Sequence, residues 1–333
     1  MNILVVGGAG YIGSHMVKKL VIEGHRVISL DNLSTGFKSL AKYGKLIVGD
    51  LSDNEFLDQL FSQNKFDAVM HFAASSLVGE SIVNPAKYYR NNVVNTINLL
   101  DVMVKHDVRN FIFSSTAAIF GEPIQTKINE QHPKMPINPY GKSKLMIEMF
   151  LEDYASVYGL NSVSLRYFNA AGADPEGELG ECHQPETHLI PLVLQVASGR
   201  RDYVTVFGSD YDTSDGTCIR DYIHVIDLCE AHKIALEKLM SSNLKGAKAF
   251  NLGNGDGFSV QQVIDVCKEL VAIDGSEINV IYGDSRDGDP AILVADTRKA
   301  GKELAWKPKF NILEDIINHA WIWEKKLLDA KLS

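Results

Sequence analysis

Cysteine is scarce: the chain has Cys182, Cys218, Cys229 and Cys267, and no two of them form a C-x-x-C pair. That excludes a disulfide framework and a cysteine zinc pattern. Long apolar runs are also missing. None approaches the ~20 residues needed to cross a bilayer. The opening "MNILVVGGAG" has too short an apolar run, broken by glycine, to be a signal peptide. Positive charge is in deficit, with 33 Lys and Arg against 42 Asp and Glu and a net charge of −9. A nucleic-acid-binding face requires the opposite balance. Repeats and low-complexity tracts are absent. These lacks lead us to expect a cytoplasmic protein with neither a membrane nor a nucleic acid as partner.

What remains is an ordinary globular composition, 45% hydrophobic and 23% charged over 333 residues, enough for one large or two moderate domains. In the first half, short β-rich runs alternate with helical patterns. The runs are "ILVV" (3–6), "VISL" (27–30), "LIV" (46–48), "AVMHFA" (68–73), "FIFSS" (111–115) and "SVSLRYF" (162–168). Continuous apolar strands of this kind suit a parallel sheet buried on both faces. The alternation predicts a doubly wound α/β fold. Long helices are expected over 84–106 and 139–158. Met16, Val17, Leu20 and Val21 share one face of the first helix, which Gly24 is placed to end. The second half is less regular. Residues 172–188 read as a loop, "VTVFG" (204–208) and "INVIYG" (278–283) as strands, and 259–270 as a helix with Ser259 and Gln262 spaced as a capping box. We expect a smaller α/β substrate domain (169–333, mainly) interleaved with a cofactor domain (1–168), to which segments near 220–253 return.

Between the first strand and the first helix lies "VVGGAGYIGSH", with Gly7, Gly10 and Gly13 at intervals of three. Glycine there permits positive φ and lets backbone approach a diphosphate at the helix N-terminus. Asp31 ends the second strand, where a carboxylate accepts hydrogen bonds from both adenosine ribose hydroxyls and repels a 2′-phosphate. That favours NAD over NADP. Asp50, in "VGDL", ends the third strand, where the adenine would lie. Further along, Tyr140 and Lys144 are four residues apart and directly follow the helix-starting Pro139. Spacing i,i+4 puts both on one helical face. An ammonium beside a phenol lowers its pKa, giving a base for a substrate hydroxyl. Ser114, Ser115 and Thr116 lie at the carboxyl end of the fifth strand, the edge at which open α/β sheets bind ligands.

Taken in order, the glycine triplet, "GDL", "HFAA", the strand-end hydroxyls and "YGKSK" resemble the extended short-chain dehydrogenase/reductase superfamily, with its Rossmann-like sheet. "RYFNAAGADPEGELGE", "GRRDYVTVFGSDYDTSDGTCIRDYIHV" and "NLGNG" extend the resemblance, over essentially the whole chain, to the UDP-galactose 4-epimerase family. The resemblance implies reversible oxidation at C4 of a UDP-hexose, with NAD resident. Tyr140 would be the base, Lys144 would hold the nicotinamide ribose, and Thr116 would bond the sugar O4. Gly7, Gly10, Tyr11, Ile12, Gly13, Asp31, Asn32, Asp50, Leu51, Phe72, Ala73, Ala74, Asn91, Ser114, Tyr167 and Phe168 would line the cofactor. Asn169, His188, Leu189, Val206, Phe207, Arg220, Arg286, Asp289 and Leu293 would meet the nucleotide sugar, with both arginines on its diphosphate and Phe207 beside uracil.

Three positions depart from the family pattern. Ser76 replaces a cofactor-contacting lysine, and His188 replaces an asparagine. Leu293 falls where members restricted to UDP-glucose and UDP-galactose carry a tyrosine, which implies room for an N-acetyl group. Two rivals are a nucleotide-sugar 4,6-dehydratase and a non-catalytic NAD-sensing regulator. The first would carry an Asp-Glu pair where Ala117 and Ala118 stand; the second would have no need of Thr116, Tyr140 and Lys144 together. Cys182, His183 and His188, and likewise His224, Cys229 and His232, show no recognised ligand spacing, so no metal is expected. Trp321 and Trp323 read as packing. A homodimer is expected through Val93, Ile97, Leu100, Met146, Met149 and Phe150, on helices that pair across a two-fold in the family.

Overall fold

The computed structural model describes residues 1–286 and 289–329. Its strands, in chain order, are β1 (Asn2–Val6), β2 (Arg26–Asp31), β3 (Lys45–Val48), β4 (Ala68–His71), β5 (Asn110–Thr116), β6 (Asn161–Tyr167), β7 (Asn169–Ala171), β8 (Val204–Phe207), β9 (Ile219–Arg220), β10 (Tyr222–His224), β11 (Ala247–Leu252), β12 (Phe258–Ser259), β13 (Val280–Gly283) and β14 (Ile292–Leu293). Seven of them make one parallel sheet in the order β11-β6-β5-β4-β1-β2-β3. Its apolar runs are continuous because both faces are covered. Ile3 and Val5 enter one core with Met16, Leu20 and Leu236, while Leu4 and Val6 enter the other with Leu57, Leu100 and Ile147. The predicted doubly wound sheet is therefore present, and its order reverses between β1 and β4, which opens a crevice at their carboxyl ends.

The rest of the chain forms small sheets: β10 with β7, β13 with β8, and β12-β9-β14. A third core joins the helices Leu189–Ala197, Val260–Ala272 and Leu313–Asp329. The capping box at Ser259 and Gln262 forms as read. Trp321 and Trp323 are buried. No described helix is long and apolar enough to cross a membrane.

Two expectations need correction. Residues 84–106 are not one helix. An α-turn at Pro85–Tyr88 passes into a π-helical stretch, Tyr89–Val94, before the α-helix Asn95–Lys105. Asn91 and Asn92 lie in the wider i→i+5 stretch, where Asn92 is buried. Of the six apolar residues read as an interface, Val93 and Leu100 are buried in the monomer's own core, whereas Met146 and Met149 are exposed.

Candidate functional site

The glycine turn lies at the switch point of the sheet. Gly7 has φ +82°, and a Cβ there would lie 2.5 Å from the Ala73 nitrogen in the segment leaving β4. A Cβ on Gly13 would lie 2.0 Å from the Gly7 oxygen. Both are excluded, so the helix Tyr11–Ile22 starts flush against the turn. Gly10, at its N-cap, offers no side-chain cap, and the first N–H groups of the helix face the crevice. Its missing Cβ would meet only the Gly7 oxygen, at 3.4 Å. This is a cradle for a diphosphate.

Asp31 ends β2 with its carboxylate held by two backbone N–H groups, Ala9 at 2.9 Å and Leu33 at 2.8 Å. Its remaining lone pairs suit ribose hydroxyls. Asn32 donates to Asp50 at 2.6 Å. Burial would raise the Asp50 carboxyl, but the bonds from Asn32 and Ser52 hold it below its ordinary range. Leu51 is buried beside it. Along the segment after β4, Phe72 and Ala73 donate to the Val6 carbonyl, and Phe72 lies against His232. These residues fit an NAD: a bare helix start for the diphosphate, a strand-end carboxylate for the ribose, and a Cβ-free approach between β1 and β4.

Asn92 was missed by the sequence reading. Its amide accepts from the Ser75 nitrogen at 2.8 Å and donates to the Ser75 oxygen and to Ser143 Oγ. It thereby ties the segment after β4 to the helix Pro139–Tyr158, with Asn91 donating to it. A polar residue embedded in a helical pattern gave no signal of this. Tyr88 was also missed. It is fully buried, its hydroxyl donates to the Leu77 oxygen, and its ring stands edge-on to Tyr140 at 6.5 Å.

Tyr140 opens the helix Pro139–Tyr158, which Asn138 caps by accepting from Gly141 at 2.8 Å. Burial raises the Tyr140 phenol above its ordinary range, and the neighbouring Thr116 hydroxyl opposes that rise. Thr116 ends β5 and also accepts from the Ala118 nitrogen. Lys144 is 2% exposed and donates to the Ser114 carbonyl at 2.8 Å. Burial alone pushes its amine down to about 7. Here the sequence expectation fails. Lys144 does not depress Tyr140, because it bonds the β5 backbone and lies 6.0 Å from the tyrosine ring centroid. Ser114 bonds Tyr167, and Ser115 donates to Glu148, which also takes a two-pronged bond from Arg166.

Phe168 and Leu293 pack together on Ala117, Ile119, Phe120 and Ile128, the turn that follows Thr116. Leu293 pairs in register with Arg220. Arg220 forms an ion pair with Asp289, and the Arg286 guanidinium lies 3.8 Å from the Phe207 ring centroid. The two arginines therefore take different partners, one a carboxylate and one an aromatic face. Val206, next to Phe207, is buried. Asn169 bonds the Asp221 carbonyl with both its backbone and side-chain nitrogens. Asp221, also missed, accepts from Asn254, Gly255 and Ala295, and burial raises it to about 6 against those bonds.

Leu189 begins the helix Leu189–Ala197, and His188 is its N-cap without capping it through its side chain. Its imidazole is paired with Glu181. His183 lies 3.0 Å from the same carboxylate. The Glu181 charge raises His188 against burial. Burial disfavours the charge on His183, yet Glu181 and Glu186 push it up to about 10.

A glycine cradle at the switch of a parallel sheet, a strand-end acid, and a tyrosine, lysine and threonine at the carboxyl end of β5 define a dinucleotide-dependent enzyme of the short-chain dehydrogenase type. The chain belongs to the NAD dependent epimerase/dehydratase family, whose model matches residues 3–253. It is 52% identical over 326 residues to a UDP-glucose 4-epimerase of Halalkalibacterium halodurans, covering 98% of this chain and 96% of that one. Among solved structures it resembles the UDP-glucose 4-epimerase from Brucella ovis in complex with NAD (47% identity, TM-score 0.92, 96% and 97% covered). It also resembles the UDP-Glc/GlcNAc 4-epimerase of Campylobacter jejuni (44%, TM-score 0.84, 98% and 99% covered).

Proposed function

We infer that this chain catalyses the reversible interconversion of UDP-glucose and UDP-galactose by inversion at C4. The observation that carries the reading is the Thr116 hydroxyl at the carboxyl end of β5 set beside the Tyr140 phenol at the start of the following long helix, in the same fold that holds the glycine cradle. NAD, when bound, supplies a reversible hydride acceptor for C4. The turn at Gly7–Gly13 and Asp31 hold its diphosphate and ribose, Asp50 and Leu51 flank its adenine, and Lys144 holds the second ribose. Tyr140 takes the O4 proton and returns it, and Thr116 keeps O4 in line with the phenol. Arg220 and Arg286 bind the UDP diphosphate, and Phe207 stacks with its base.

We further propose that residues 1–168 with the returning segment form the cofactor half, that residues 169–333 mainly hold the UDP-sugar, and that the enzyme works in the cytoplasm. The dehydratase alternative finds no proton carrier after Thr116, since Ala117 and Ala118 have none. Incubation with UDP-galactose tests the reading. UDP-glucose must form without net consumption of NAD. A 4-keto-6-deoxy product, or binding without turnover, would replace it with one of the rivals.

A further inference from the structure

The loop between β7 and the helix Leu189–Ala197 brings four side chains together that no step above uses as a set. Glu181, His183, Glu186 and His188 repeat the pattern Glu-x-His twice, and one ligand atom from each lies within 4.8 Å of the others. The sequence expectation of no metal rested on the histidines and Cys182 alone; two carboxylates complete the set.

We propose that these four residues form a tetrahedral site for a divalent transition metal of the zinc class. Two imidazole nitrogens and two carboxylate oxygens are a donor set that Zn²⁺ accepts. At ligand bonds of ~2.0–2.1 Å, a tetrahedron has edges of roughly 3.3 Å. The distances from His183 Nδ1 to Glu181 and to Glu186, 3.0 and 3.6 Å, bracket that edge. The two carboxylates are nearly buried, 5% exposed each, and their ion-pair partners are the two imidazoles themselves. A divalent ion at their centre would release the imidazole protons and take their place as the counter-charge to both carboxylates.

The ligands are also held from behind, as a working metal site requires. The Trp323 indole donates to the Glu181 carbonyl at 2.8 Å. The Glu186 carboxylate accepts from the Thr187 and His188 nitrogens. The His183 ring stands edge-on to Tyr11 and to His188. A small cleft, lined in part by Glu181, His183 and Glu186, gives an ion a way in from solvent. Tyr11 belongs to the glycine turn, and its hydroxyl donates to the Gly172 carbonyl at the start of this loop. The metal therefore clasps the loop onto the cofactor cradle: it is structural, and the chemistry at C4 proceeds without it.

The test uses the full-length, tag-free chain after chelator treatment. Titration with Co²⁺ should give the intense visible bands of a tetrahedral site, saturating at one ion per chain and abolished by Zn²⁺. Zn²⁺ should also raise Tm. His183→Ala and Glu186→Gln should weaken binding by more than the ~10–100-fold that loss of an outer-shell partner costs. Glu186→Gln keeps an oxygen for the Thr187 and His188 N–H groups, so the loop keeps its shape. Both variants should retain epimerase activity at moderate temperature. Absent bands, the weak spectrum of an octahedral ion, an unmoved Tm, or undiminished binding in the variants would each overturn the site and leave an ion-pair cluster only.

Discussion

Replacing Tyr140 by Phe isolates the proton-transfer step. The substitution removes one oxygen and leaves the ring, so the edge-on packing against Tyr88 persists. Thr116 still accepts from the Ala118 nitrogen, and its own hydroxyl turns toward substrate or water. Loss of the buried hydroxyl costs stability about 1 kcal/mol at most. Catalysis should suffer far more. A positioned acid–base group contributes ~10²–10⁴-fold, which is about 2.7–5.4 kcal/mol of barrier. No other described group is proposed to receive the O4 proton. Lys144 is committed to the Ser114 carbonyl. The loss should fall on kcat, with KM nearly unchanged, because the nucleotide end carries most of the binding. Conversion of UDP-galactose, read by a coupled UDP-glucose dehydrogenase, measures it; the NAD content of the variant must match wild type. A variant within tenfold of wild-type kcat refutes the assignment of Tyr140.

Gly13→Ala puts a methyl 2.0 Å from the Gly7 oxygen and must displace the turn. Wild type should retain about one NAD per chain through purification; the variant should retain little and lose about 1–3 kcal/mol of stability, read by acid extraction and by denaturant unfolding. Lys144, pushed from 10.5 to about 7 in the fold, binds fewer protons folded than unfolded between those values. Its contribution to cofactor-free stability therefore rises with pH from about 7 to 10.5, by up to ~1.4 kcal/mol per unit. The stability of wild type relative to Lys144→Met should rise over that window, and a constant difference would refute the buried-amine account. Leu293→Tyr should shift kcat/KM away from UDP-N-acetylgalactosamine relative to UDP-galactose, because discrimination here is by exclusion. Equal preference in both proteins removes Leu293 as the gate. Exposed Met146, Met149 and Val157 on one long helix and Val83 and Val94 near it should pair two copies, so light scattering should give twice the chain mass.

Much of the fold was legible because its signals are local. β1 is apolar without alternation since both its faces are buried, and Ser259 with Gln262 caps a helix by their own spacing. The glycine turn was legible for a similar reason: Gly7 and Gly13 are required by contacts within and beside one loop. The π-helical stretch at Tyr89–Val94 was not, because a hydrophobic pattern does not separate i→i+5 from i→i+4 over six residues. Strands of two residues such as β9, β12 and β14 carry no period at all. The Tyr140–Lys144 pair was found from spacing, but its electrostatics came out reversed. Helical spacing fixes which face the amine occupies; it does not say that the Ser114 carbonyl waits there, nor that burial outweighs mutual attraction.

That reversal bears on how the site works. In the cofactor-free protein burial disfavours the charged forms of the phenol and the amine alike. The parts that must not move are tied together elsewhere. Through its carbonyl Asp221 takes both nitrogens of Asn169, and through its carboxylate the N–H groups after β11 and after β14. One residue thus joins the end of the large sheet to β7, β9 and β14, where Arg220 and Leu293 lie side by side. On the function proposed above, the nucleotide end would be gripped by a frame continuous with the sheet, while Leu293 and Phe168 would offer the hexose only an apolar wall. Firm holding at one end and a smooth surface at the other is what inversion by turning the sugar requires.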